Sequence, residues 1–80
     1  MPYDEFPQFA GYGTKEMICI IEEARLSQTD REIARGRLVD RRDYADIAAQ
    51  LNRDRSGVSK RLRRIIIPYL VDYISRHGRV

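Results

Sequence analysis

Arg55, Ser56, Ser59, Lys60 and Arg63 recur at steps of one, three and four residues, the spacing of one exposed stripe on an α-helix. The chemistry such a stripe offers is hydrogen-bond donation. Guanidinium and ammonium groups meet phosphate oxygens or the acceptor edge of guanine, and hydroxyls meet phosphate or either base type. A solvated basic face has the same composition, so the residues before it decide between the two readings. Other reactive side chains are few. The single cysteine, Cys19, can form no disulfide within the chain and has no neighbouring ligands, so it is expected as a small buried apolar residue. His77 is expected to be exposed and structural. Acidic residues are scattered, and no glycine-rich phosphate loop is present. No catalytic residue, metal site or cofactor is expected, and the chain does not read as an enzyme.

Two predicted helices position the stripe. Tyr44, Ile47, Ala48 and Leu51 share one helical face, with Asp43 as the cap. The small Ala48 would let a second helix cross closely. Asn52 stands where the chain must leave that helix, and asparagine tolerates the left-handed conformation. Asp54 is the natural cap of the next helix, expected over 55–66 with Val58, Leu62 and Ile65 inward. Twelve residues span about 18 Å, enough to lie in a DNA major groove. Two short helices joined by a tight turn, the second one basic, are the form of a DNA-binding helix-turn-helix.

Charge supports a polyanionic partner. Residues 1–30 carry two basic and six acidic side chains, whereas residues 31–80 carry thirteen and six. Between Arg53 and Arg64 there are six basic side chains and one acid. A field positive at one end attracts and orients polyanions. Arg64 and Arg61 point more sideways than the five stripe residues. Arg61 either joins them or pairs with Asp43 or Asp46. Arg41 and Arg42 precede the helix that starts at Tyr44, where they contact phosphate or lie in a solvated loop.

The remaining sequence surrounds this unit. Residues 1–13 hold Pro2, Pro7, Gly11 and Gly13, and also Tyr3, Phe6, Phe9 and Tyr12. They read as an extended aromatic arm that packs on the domain or on a second subunit. Asp4 and Glu5 argue against a minor-groove arm. Thr14 is expected to cap a first helix with Met17, Ile18, Ile21 and Ala24 inward. Ser27 to Asp30 resembles a capping box opening a helix over 28–38, with Ile33, Ala34 and Leu38 inward. Gly36 within it marks either a close helix approach or a weak helix. Pro68 should stop the basic helix and open a last one, 69–76, closed by Gly78. Its face of Tyr69, Leu70, Tyr73 and Ile74 either completes the core or forms a dimer interface, and dimers match palindromic DNA sites.

The expected fold is therefore all-α: four to five short helices with a helix-turn-helix in a single domain over 14–80, plus the arm. No apolar run approaches the roughly 18 residues of a membrane span. No secretory signal is visible, so a cytoplasmic location fits.

From Leu26 to Ile65 the chain resembles the fourth conserved region of bacterial sigma factors and the small regulators that share its helix-turn-helix. The matching residues are Leu26, Arg31-Glu32-Ile33, Tyr44, Ile47-Ala48, Leu51, Val58, and Arg61-Leu62 with Arg64. The resemblance implies major-groove binding through Arg55, Ser56, Ser59, Lys60 and Arg63. Asn52-Arg53 replaces the family's usual glycine and apolar residue, which weakens the turn's anchoring or adds a phosphate contact from Arg53. Gly36 stands where the family is commonly apolar. The other sigma regions are absent, so the resemblance implies a stand-alone regulator of double-stranded DNA; the homodimer expectation rests instead on the apolar face of Tyr69, Leu70, Tyr73 and Ile74 and on the few base pairs that one helix-turn-helix reads. Two further readings share the same features: a protein-interaction module that binds RNA polymerase or another regulator, and a DNA-binding subunit of a recombination or packaging machine.

Overall fold

Apolar residues at helical spacing mark the inward faces of the first, third and last helices of the chain. The computed structural model describes residues 6–9 and 11–77. Tyr3, Asp4 and Glu5 of the expected arm, and Gly78 as the expected helix end, lie outside them. A 3-10 turn, Pro7–Phe9, precedes α1 (Thr14–Glu23) and α2 (Gln28–Ala34). α2 runs into a π-helical turn, Arg35–Val39. α3 (Tyr44–Leu51) and α4 (Arg55–Arg61) follow, then a second π turn, Leu62–Ile66, and α5 (Ile67–His77). No strand occurs among the described residues, and the fold is all-α.

The described part of the arm is folded rather than extended. The Phe9 amide donates to the Phe6 carbonyl and the Tyr12 amide to that of Phe9, both at 3.0 Å. Phe9 is buried in the core and meets the Tyr12 ring edge-on, 6.2 Å between centroids. The cap of α1 is Gly13, one residue before the expected Thr14, and the Glu16 carboxylate accepts the Gly13 amide at 2.9 Å. Ile20 takes the fully buried place expected of Ile18, which is half-buried.

Asn52 closes α3 as its side chain allows. It is left-handed at φ 56°, and the Arg53 amide returns to the Ala48 carbonyl at 2.8 Å. This wraps two otherwise unpaired carbonyls of α3, because the Asn52 amide also reaches Ala49. Asp54 then caps α4 by accepting the Gly57 amide at 3.2 Å. Ile47, Ala48 and Val58 are buried beside this crossing. The expected cap of α3, Asp43, makes no side-chain bond to the helix.

Two expected helix ends are corrected. The helix foreseen over 28–38 leaves the α form after Ala34, and its π turn brings Gly36 against α3. A Cβ on Gly36 would lie 3.0 Å from Ile47 Cγ1. Pro68 does not separate two helices: α4, the π turn and α5 form one continuous helical rod. A proline ring clashes with the carbonyl four residues earlier in a regular helix. The wider turn before Pro68 relieves that crowding, and the Ile67 amide bonds to the Leu62 carbonyl, five residues back. The extra residue also changes phase. Ile66 and Ile67 are buried, whereas Ile65, expected inward, is 49% exposed.

The rod supplies the centre of the core. Leu62, Ile66 and Leu70 are wholly buried against Ile20, Ile21 and Ile33. Burying one such side chain contributes about 1.5–3 kcal/mol. Leu70 was a candidate dimer contact, but no part of it reaches the surface. Tyr73 and Ile74 pack against the same core. The Tyr69 hydroxyl donates to the Ala24 carbonyl at 2.6 Å and the Tyr73 hydroxyl to the Glu23 carboxylate at 3.2 Å. Leu70, Tyr73 and Ile74 of the face expected at a dimer interface thus complete the monomer, while the Tyr69 ring stays 45% exposed.

Candidate nucleic-acid interface

The five stripe residues converge. Arg55, Ser56, Ser59, Lys60 and Arg63 line one open groove of about 550 Å³ between the start of α3 and the outer face of α4. Helical spacing alone places them on one side of α4. The turn at Asn52 and the cap at Asp54 then set that side beside α3. Arg37, Asp43, Tyr44 and Ala45 form the opposite wall. The groove therefore holds four cations and one carboxylate. Arg55 and Lys60 are exposed and have no ion-pair partner among the described residues.

Arg37 and Tyr44 are groove residues that sequence reasoning did not select. The Arg37 guanidinium sits 4.5 Å from the centroid of the Tyr44 ring, and its Nη1 donates to the Arg42 carbonyl at 2.9 Å. A cation over an aromatic face is favoured by about 0.5–1 kcal/mol at an exposed site. The stack needs a chain reversal between the two residues. Arg41 supplies it in a left-handed conformation, φ 58°, and the Arg42 amide closes the reversal on the Gly36 carbonyl at 2.8 Å.

The other candidate arginines lie elsewhere. Arg42 is half-buried along α3, donating to the Gln50 side chain and, at 3.4 Å, to the Asp46 carbonyl. Arg64 is exposed on the rod outside the groove. Arg53 lines a second hollow, about 510 Å³, between the starts of α2 and α4. Arg61 lines that hollow too. It pairs with Asp30, not with the Asp43 or Asp46 expected from spacing. Its Nε and Nη2 donate to the two Asp30 oxygens at 2.9 and 2.8 Å. Ser27 caps α2 by accepting the Asp30 amide at 3.2 Å, while the Asp30 carboxylate is held chiefly by Arg61 and does not complete a capping box. The Arg61 guanidinium holds the Asp30 carboxyl below its ordinary value, against the opposing effect of burial.

The Cys19 thiol donates to the Glu23 carboxylate at 3.3 Å, which raises its pKa and suppresses the thiolate. The His77 ring stacks on Tyr73 with 4.4 Å between centroids. No group of three metal-ligating side chains occurs among the described residues, and none of their helices is long and apolar enough to cross a membrane. Comparison of the chain with protein-family models, curated proteins and solved structures finds no match.

Proposed function

We propose that α3 and α4 act as a helix-turn-helix that seats α4 in the major groove of double-stranded DNA. The chain is then a small sequence-specific transcription regulator of the sigma region 4 type. One observation carries the reading: all five residues chosen for their donor chemistry line a single groove, joined by a stacked Arg37. Helical spacing accounts for the five sharing one side of α4; what the fold adds is a facing wall that brings Arg37, stacked on Tyr44, to the same groove. Affinity comes from the groove's cations meeting phosphate, with Arg55, Ser56 and Ser59 available to base edges. The groove's four cations set a logarithmic salt slope of about −3.6, so a fourfold rise in salt weakens binding about a hundredfold.

Selection from random duplex DNA, followed by fluorescence anisotropy on the enriched site, tests the reading. The expected outcome is a defined motif. Arg55→Ala, Lys60→Ala and Arg63→Ala should each cost about 1–3 kcal/mol where they read a base. Where one touches only phosphate, all sequences weaken alike and the salt slope falls by about one unit. A folded triple variant that binds duplex DNA as tightly as the parent overturns the proposal.

A further inference from the structure

Among the described residues, the large hydrophobic side chains left exposed are Ile65, Tyr69 and Val71, at 49%, 45% and 41%, all within seven residues of the rod. Their placement follows from the π turn. It rotates Ile66 and Ile67 into the core and leaves Ile65 outside, one helical step from Tyr69. Pro68 between them is exposed as well. Isolated exposed apolar residues are ordinary; here Ile65, Pro68 and Tyr69 are neighbours on one flank of the rod with Val71 on the other, and an apolar group rimmed by charge marks a contact surface.

The rim identifies the occupant. Arg64 lies four residues before Pro68 and Asp72 four residues after it, both exposed and on the same stripe as Pro68. Arg64 has no partner among the described residues. Asp72 is 58% exposed and touches Arg76 at 3.0 Å, which leaves it open to a second cation. We infer that this side of the rod is a self-complementary surface that binds a second copy of the chain, antiparallel, about a twofold axis near Pro68. Reversal about that axis sets Arg64 of each copy opposite Asp72 of the other. It also runs the Ile65 and Tyr69 flank against its own reverse. A parallel pairing would set Arg64 against Arg64 and forfeit both attractions. Isologous contacts of this form are the commonest in homodimers.

The surface is small. From Arg64 to Asp72 the helix rises about 12 Å, well short of what a stable interface of about 800 Å² per partner requires. The dimer should therefore be weak, with a midpoint on the order of 100 µM. The inference stands independently of DNA binding, because its test contains no DNA.

Sedimentation equilibrium of the full chain up to about 1 mM tests it, with circular dichroism as the check on folding. Arg64→Asp and Asp72→Arg should each weaken association about tenfold, since each turns two attractions into two repulsions. The double exchange should restore it to within about threefold. A parent protein that stays monomeric at the highest concentration overturns the inference. So do single variants that associate like the parent, or a double exchange without rescue. Should a charge variant unfold, Pro68→Cys in a Cys19→Ser background decides. A disulfide-linked dimer places Pro68 at the axis, and a protein that remains reduced under mild oxidation refutes it.

Discussion

The two π turns of this chain share a backbone form but arise from opposite needs. The turn at Arg35–Val39 contains Gly36 and ends a helix; the turn at Leu62–Ile66 precedes Pro68 and continues one. At the first, a missing side chain lets the backbone close on Ile47, and the left-handed Arg41 then reverses the chain. At the second, the added residue makes room for a proline ring and moves Ile66 and Ile67 into the core. One widened turn thus serves approach and the other serves phase. The Asp30–Arg61 pair joins them, linking the helix that enters the first turn to the residue that enters the second.

The largest expected effect tests the phase at the second turn. Ile66→Ala should destabilise the domain by about 2–5 kcal/mol, because it empties a fully buried site. Ile65→Ala should change stability by less than about 0.5 kcal/mol, as an exposed position does. Urea denaturation of the two variants that gave the reverse order would show a regular helix there.

Next in size is the approach at the first turn. Gly36→Val places atoms where Ile47 already stands, and overpacking of that kind costs about 1–3 kcal/mol. A variant as stable as the parent in the same assay would mean that α3 can withdraw freely, and the Arg37–Tyr44 stack should then be lost.

The smallest effect concerns the link between the turns. Asp30→Asn should lower stability at neutral pH by about 1 kcal/mol, a modest figure because half of the Arg61 side chain faces solvent. The folded carboxyl titrates below its ordinary value of 3.8. Its contribution is therefore complete above that value and fades as pH falls through the lower folded value. The difference between parent and variant should close in acid. A difference that persists with the carboxyl protonated would assign the effect to packing rather than charge.

What could be read from the sequence was local. Ser27, Asn52 and Asp54 act within a few residues of themselves, and their roles follow from side-chain reach alone. The stripe on α4 was legible for the same reason. What escaped depends on an assumed period or on distant partners. A search at 3.6 residues per turn places Ile65 inward, because it has no term for a widened turn. The pairing of Asp30 with Arg61 spans 31 positions. Arg37 meets Tyr44 only because Arg41, an arginine rather than a glycine, turns left-handed. Leu70, Tyr73 and Ile74 were legible as part of an apolar face, but not as already filled from within.

The turn at Leu62–Ile66 can also be viewed as an insertion written into a helix. Removing Ile65 from the gene would leave Val58, Leu62 and the renumbered isoleucines and Leu70 at the even steps of an ordinary helix, so the interior would keep its partners. The residue that disappears is one that the interior never uses. Such a deletion should yield a folded, helical chain by circular dichroism, stripped of the apolar flank on its outer side and with Pro68 pressed against an unwidened turn. Ile65 is in that sense a spacer: its presence in the chain matters to the register, while its side chain is left over for whatever lies outside.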